Sequence, residues 1–181
     1  MYPASYLASA IFFILLTSCV SKNEEIKPTA VSDFLLCRQC GTDLASATTI
    51  VSYQSPAAEG RKNVTLFGLQ NVLLQTLRNP LNIKFQVITL TKASCIGTGH
   101  WHVEDSWFPG YAWKTCLCTH CNNHLGWLFE PIATAHNGRQ YTSSKGFYAL
   151  ILDNVISEFY SNSLLATPKH TFHIKKQHQD L

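Results

Sequence analysis

Four cysteines in two short pairs are the residues of this chain best suited to chemistry. Cys37 and Cys40 form one Cys-x-x-Cys pair, and Cys118 and Cys121 form a second. Each pair can present two thiolates from one tight turn, and four thiolates suit tetrahedral zinc with Zn–S bonds of about 2.3 Å. A shared ion would pin together the two ends of residues 41–117. The spacing therefore predicts one structural Zn²⁺, with disulfides in a secreted chain as the alternative.

Three tryptophans lie close to the second pair. Trp107 and Trp113 flank Phe-Pro-Gly-Tyr, in which Pro fixes φ and Gly permits a tight turn, and Trp127 follows Cys121 by six positions. An indole can bury on the order of 200 Å². Indoles on elements anchored by a metal can form the walls of a cage around a small ring. The alternative is that all three tryptophans belong to a closed core.

Short β-branched and aromatic runs predict the elements that must position these residues. Proline with asparagine at Asn79-Pro80 indicates a turn, and residues 54–62 are typical of a loop. No amphipathic helix of useful length is evident. The predicted strands are 48–53, 64–67, 83–90, 125–129 and 146–152.

Length and composition favour one globular domain with tails. The chain has 181 residues, of which 14% are charged, and a net charge of +3. Part of the positive excess lies near the C-terminus, at Lys169, Lys175 and Lys176. This charge is too small and too local to favour nucleic-acid binding. We expect a domain at residues 34–160 and a basic flexible tail at 161–181.

The first residues of the chain predict export from the cytosol. Residues 6–20 are almost wholly apolar, which is short for a bilayer span and typical of a signal peptide. We expect a signal peptide at 1–21, a polar leader at 22–33, secretion, and no membrane association after cleavage. The alternatives are a lipoprotein anchored through Cys19 and retention in the ER lumen through residues 178–181. Asn63-Val64-Thr65 fits an N-glycosylation acceptor.

The same residues carry a resemblance to a known family. The stretch Glu104 to Phe129, in register with both cysteine pairs and with Asn79-Pro80, resembles the CULT domain, the family of the cyclic-imide-binding domain of cereblon. The similarity spans about Leu36 to Ile156. It implies a β-tent, mainly β, in which two antiparallel sheets are pinned by one zinc held by the four paired cysteines.

The resemblance also implies the ligand and its site. Family ligands are glutarimides such as the thalidomide ring, related cyclic imides including those at protein C-termini, and uridine-type rings. The three tryptophans would form the cage, with Phe129 at its base, Asn79 and Pro80 beside it and Tyr111 in support. The expected ligand-binding residues are Trp107, Trp113, Trp127, Phe129, Asn79, Pro80, Asp105, Ser106 and Tyr111.

Two departures from the family pattern alter what is expected. Asp105 stands where the family has a histidine before Ser106-Trp107; an ionised carboxylate only accepts hydrogen bonds, and it favours a cation beside an aromatic cage. We therefore expect altered imide affinity with some tolerance for cationic rings. No Lon-like domain precedes the module, so no ubiquitin-ligase adaptor is expected as a partner.

Cys95 and Cys116 remain outside the two pairs. They are either bridged in an oxidising compartment or buried as free thiols. They would also be the candidate nucleophiles of an enzyme similar to methionine sulfoxide reductase B, which has a related zinc-pinned fold. A nucleophilic thiol needs a nearby histidine, cation or helix N-terminus to lower its pKa, and no such context is evident. We expect a binding module without catalytic residues.

Overall fold

The computed structural model describes residues 33–164. The predicted signal peptide, the leader up to residue 32 and the tail from residue 165 lie outside the described residues. Short strands dominate this part of the chain, and they are β1 Phe34–Cys37, β2 Asp43–Ser46, β3 Ile50–Val51, β4 Gly60–Leu66, β5 Leu69–Arg78, β6 Lys84–Leu90, β7 Cys95–His102, β8 Tyr111–Cys118, β9 His124–Pro131, β10 Phe147–Ile151 and β11 Val155–Ser157.

The strands form two antiparallel sheets. The small sheet has the order β11-β1-β2. The large sheet has the order β4-β5-β6-β10-β9-β8-β7, and β3 adds to β6. It consists of two meanders, β4–β6 and β7–β10, which join where β6 pairs with β10 from Tyr148 opposite Leu90 to Ile151 opposite Val87. The predicted fold, mainly β with two antiparallel sheets, is confirmed.

Individual strands agree with the sequence in part. The predictions at 83–90, 125–129 and 146–152 are confirmed by β6, β9 and β10. The predicted strand at 48–53 shortens to β3, because Ala47–Thr49 form a 3-10 turn in which the Ser46 side chain accepts a hydrogen bond from Thr48 N. The predicted loop 54–62 is wrong at its end, since β4 begins at Gly60 and pairs with Thr76.

One helix and several short 3-10 turns complete the described residues. α1, Glu158–Leu164, follows β11 and crosses the boundary that the sequence places at residue 160. Its start is tied to the small sheet, because Asp33 accepts hydrogen bonds from Phe159 N and from the Ser157 hydroxyl. Within residues 33–164, no helix is both long enough and apolar enough to cross a membrane.

Alternate residues of the central strands pack into two separate hydrophobic clusters. In β10, Tyr148 and Leu150 pack in a cluster that contains the buried cysteines. Phe147, Ala149 and Ile151 pack in a second cluster with the aromatic side chains of β9. Because side chains alternate across a strand, β10 separates a cysteine face from an aromatic face.

The loop after β9 covers the cysteine face through buried charged groups. Lys114 is 1% exposed, and its Nζ donates to the carbonyls of Asn137 and Arg139 at 3.3 and 3.0 Å. Glu130 is 0% exposed and accepts from Thr134 Oγ1 at 2.6 Å and from Ser143 N at 2.7 Å. These bonds hold the loop against the strands that carry the site on their other face.

The acid stability of this loop depends on Glu130. Burial by itself raises the pKa of its carboxyl, but hydrogen bonds from Thr134 and Ser143 and the charge of Arg139 outweigh burial, so that the pKa lies below its ordinary value. A depressed pKa in the folded state stabilises the fold above the unfolded pKa, and the contribution is lost as the pH falls through the folded pKa.

We expect Glu130→Gln to lower the free energy of unfolding by about 1–3 kcal/mol at pH 7, because an ionised acceptor of buried donors is lost. The penalty shrinks in acid, where the native carboxyl is protonated too. Urea unfolding at pH 7 and in acid measures both. Glu104→Gln, an exposed carboxylate, is the control. A penalty that stays constant across this pH range would contradict the role of the charge.

Candidate functional site

The four paired cysteines come together in one cluster. Their Sγ atoms all lie within 4.8 Å of one another. Cys37 Sγ lies 3.7 Å from Cys121 Sγ, and Cys40 Sγ lies 3.6 Å from Cys118 Sγ. Four sulfurs placed 2.3 Å from a tetrahedral ion are about 3.8 Å apart. The donor set and its spacing therefore fit one structural zinc.

Two turns of similar geometry present these sulfurs. After the first pair, Gly41 N donates to Cys37 O, and after the second pair Asn122 N donates to Cys118 O. Gly41 and Asn122 both have positive φ, at 76° and 59°, a conformation that glycine and asparagine adopt readily. The residue after each Cys-x-x-Cys pair thus allows the chain to turn sharply around the metal.

The cluster joins the two sheets. Cys37 ends β1 of the small sheet, whereas Cys118 ends β8 of the large sheet. Thr42 Oγ1 lies 3.2 Å from Cys40 Sγ, and Asn123 Nδ2 lies 4.0 Å from Cys37 Sγ. The predicted single structural zinc is confirmed, and its position makes it a cross-link between sheets.

Cys95 and Cys116 form a disulfide on the cysteine face. They lie on the neighbouring strands β7 and β8, with Cα atoms 5.6 Å apart. Both residues are 0% exposed. Of the two arrangements that the sequence leaves open, the structure has the bridge, and neither sulfur faces solvent.

A cavity of about 330 Å³ lies at the aromatic face. Its size is at the lower end of the range for small-molecule pockets. Seven of the nine residues expected to bind a ligand line it, together with Leu81, which the sequence did not single out. The lining residues are Asn79, Pro80, Leu81, Asp105, Trp107, Trp113, Trp127 and Phe129.

Two of the indoles form a corner of this cavity. The rings of Trp107 and Trp127 lie 4.6 Å apart between centroids, with an angle of 74° between their planes. Trp107 Nε1 donates to Arg78 O at 2.8 Å, which ties this indole to the turn that carries Asn79. Trp113 Nε1 donates to Glu104 O at 2.8 Å. Backbone acceptors therefore hold two of the three indoles in place.

Ser106 and Tyr111 lie outside the lining. Ser106 Oγ donates to Phe108 O at 3.1 Å and so stabilises the turn between Asp105 and Trp113. The Tyr111 ring packs edge-on against Phe147 at 5.1 Å, in the aromatic cluster behind the cavity. Both residues therefore support the residues that line the cavity without lining it themselves.

Three residues that support the cavity lining are not predicted from the sequence. Phe85 packs edge-on against Trp127, with 5.0 Å between centroids. Gln75 is 0% exposed; its Oε1 accepts from Ser55 N and its Nε2 donates to Tyr53 O, both at 2.8 Å. Ser55 Oγ in turn donates to Trp107 O at 2.5 Å. A buried polar chain thus fixes the backbone of Trp107 from β5.

Two histidines border the indoles without lining the cavity. The His102 ring stacks on Trp113 with 4.7 Å between centroids and 29° between planes. His124 meets Trp127 edge-on at 4.8 Å, and its Nε2 lies 2.9 Å from Gly126 O. Burial lowers the pKa of His124, which favours its neutral form.

Part of the chain is similar in sequence to known proteins. Cereblon from Danio rerio is 31% identical over 100 residues, which are 54% of this chain and 20% of that protein. Cereblon from Gallus gallus is 42% identical over 52 residues, covering 28% of this chain and 12% of that protein. Cereblon from Drosophila melanogaster is 52% identical over 35 residues, covering 19% and 6%. The chain spans a fifth or less of the length of these relatives.

A family profile covers most of the described residues. The profile named Yippee-Mis18, described as Yippee zinc-binding/DNA-binding and Mis18 centromere assembly, matches residues 34–158. The match includes all four cysteines of the cluster and every residue that lines the cavity. The chain therefore belongs to the Yippee-Mis18 family, and its zinc domain is similar to that of cereblon.

Proposed function

We propose that this domain is a zinc-stabilised binding module whose three tryptophans form a cage for a small cyclic ligand. The ligand is a cyclic imide such as glutarimide, or a uridine-type ring, either free or at the C-terminus of a protein. The observation that carries the proposal is the cavity itself, in which Trp107, Trp113, Trp127 and Phe129 surround about 330 Å³ of space.

The lining suits a flat ring with one polar edge. Aromatic walls desolvate the apolar part of such a ring. Asn79 and Asp105 supply the polar side chains of the lining. The cavity that the indoles line supports an open cage over a closed tryptophan core.

The buried disulfide supports binding without turnover. A reductase similar to methionine sulfoxide reductase B needs an accessible thiolate, and Cys95 and Cys116 are both buried and bonded to each other. No catalytic residue is proposed.

Structural features also support secretion. Disulfides persist in oxidising compartments, and Asn63 of the predicted glycosylation site is exposed on β4, the outer strand of the described large sheet. We propose an extracellular location, with the ER lumen or a membrane anchor at Cys19 as alternatives.

Nucleic acid and ubiquitin-ligase adaptors are not among the proposed partners. Arg78 and Lys84 both pair with Glu59, and Lys114 is buried, so these cations are not free for phosphates. The similarity to cereblon covers at most a fifth of the proteins compared, so it gives no support for an adaptor contact.

A titration of the zinc-loaded protein with glutarimide, followed by tryptophan fluorescence and calorimetry, tests the proposal. We expect saturable binding, and Trp113→Ala should weaken it by about 2 kcal/mol, or roughly 30-fold in Kd, because one aromatic wall is lost. Trp113→Phe should retain more affinity than Trp113→Ala.

Trp101→Ala is the matched control, since Trp101 contacts Lys114 and His136 O and does not line the cavity. It should bind glutarimide as the wild type does. If the folded, zinc-bound wild type binds neither glutarimide nor uridine, the proposed function is wrong.

A further inference from the structure

The charge of the cavity is set by one side chain. Of the described residues that line it, Asp105 alone is ionisable, and the others are aromatic, aliphatic or amide side chains. Asp105 has φ of 57°, a left-handed conformation that aspartate and asparagine tolerate better than most residues. Glu104 precedes it and is also exposed. This side of the cavity therefore carries negative charge.

Two indoles offer their rings to the cavity without a free N–H donor. Trp107 Nε1 and Trp113 Nε1 are bonded to the carbonyls of Arg78 and Glu104. The face of an aromatic ring carries negative electrostatic potential. Two of the three tryptophans therefore present no free N–H donor to the cavity, and their ring faces can stabilise a cation beside the Asp105 carboxylate.

The basic side chains of the neighbouring elements lie outside the cavity. The guanidinium of Arg78 binds the Glu59 carboxylate and Asn82 Oδ1, and Lys84 Nζ lies 3.2 Å from Glu59. Lys114 is engaged with backbone carbonyls beneath the loop after β9. Among residues 33–164, no lysine or arginine lines the cavity.

We propose that the cavity binds a cationic ring, a protonated or N-methylated cyclic amine, with its ammonium between the aromatic rings and the Asp105 carboxylate. Aromatic faces attract such cations, and a carboxylate at the mouth adds charge selectivity. This inference rests on the proposed ring-binding function and names a ligand class for the same site. The cation enters the space that the imide would occupy, so the two ligands compete.

The test compares one charged and one neutral ring on the zinc-loaded protein. N,N-dimethylpiperidinium and glutarimide are titrated by calorimetry into wild type, Asp105→Asn and Glu104→Gln. Asparagine keeps the tolerance for positive φ and nearly the same shape, so Asp105→Asn changes mainly the charge. Glu104→Gln is the matched control, since it removes a neighbouring charge that does not line the cavity.

We expect the cation to bind wild type and to compete with glutarimide. Asp105→Asn should weaken the cation at least tenfold, whatever its effect on glutarimide, whereas Glu104→Gln should change both less than threefold. Raising the salt concentration should weaken only the cation.

Two results would overturn the inference while leaving the proposed function intact: glutarimide binds wild type and the cation does not, or Asp105→Asn binds the cation as tightly as wild type. Cation binding without imide binding would support the inference and contradict imide recognition. If the folded protein binds none of the cation, glutarimide and uridine, both proposals are overturned.

Discussion

Replacing Cys118 by serine is expected to remove the zinc and unfold the domain. Structural zinc sites contribute about 10–16 kcal/mol of apparent binding free energy, whereas a domain is stable by only about 5–15 kcal/mol. Cys118 is 0% exposed and ends β8, so its loss breaks the connection between the two sheets. Zinc content by mass spectrometry and thermal unfolding by circular dichroism measure the two effects.

Two controls separate the metal from the substitution. His120→Ala alters an exposed residue of the same turn and should retain one zinc and the wild-type Tm. Wild type treated with a strong chelator should lose the same structure as Cys118→Ser, because both lack the ion. A Cys118→Ser protein that keeps one zinc equivalent, an unchanged Tm and glutarimide binding would refute the proposed coupling of metal, fold and site.

Gly126→Ala should be about as damaging, although the residue belongs neither to the cysteine cluster nor to the cavity lining. Gly126 has φ of 147°, and a Cβ there would overlap Ala149 O and lie 2.9 Å from Leu150 Cα. Those atoms belong to the backbone of β10, which can yield only by breaking its pairing with β9. We expect a loss of more than about 4 kcal/mol in the free energy of unfolding.

Urea unfolding measures this loss, and Gly60→Ala is the matched control. The nearest atom to a Cβ at Gly60 is Thr76 Oγ1 at 3.7 Å, an ordinary contact. Its stability should therefore change by no more than about 1 kcal/mol. If Gly126→Ala unfolds at the urea concentration of the wild type, the close approach of β9 and β10 is not required for stability.

The metal site and most of the cavity lining can be predicted from the sequence, because their residues lie in a few short segments of the chain. Cys-x-x-Cys spacing determines the local turn whatever lies between the pairs, and Trp107 and Trp113 lie within one connection and the strand after it. Strands were harder to predict where burial does not alternate. In β5, Val72, Leu73, Leu74 and Gln75 are all buried, since both faces of the strand are covered, so no period of two is visible.

The supports of the site could not be predicted for a different reason. Ser55 and Gln75 are separated by 20 positions, and Ser55 and Trp107 by 52. A polar residue in a strand gives no sign of which distant carbonyl it will meet. Phe85 offered the best signal, because it occupies an apolar position of a predicted strand, but only the pairing of the sheet shows that it packs against Trp127.

The residues that line the cavity come from both meanders of the large sheet. Asn79, Pro80 and Leu81 come from the turn between β5 and β6, whereas Asp105 and the tryptophans come from the second meander. The cavity is complete only when both halves have met, and such non-local pairing is costly in loop-closure entropy. We expect a ring bound there as proposed to stabilise this junction, because the halves could not part along β6 and β10 without first releasing it.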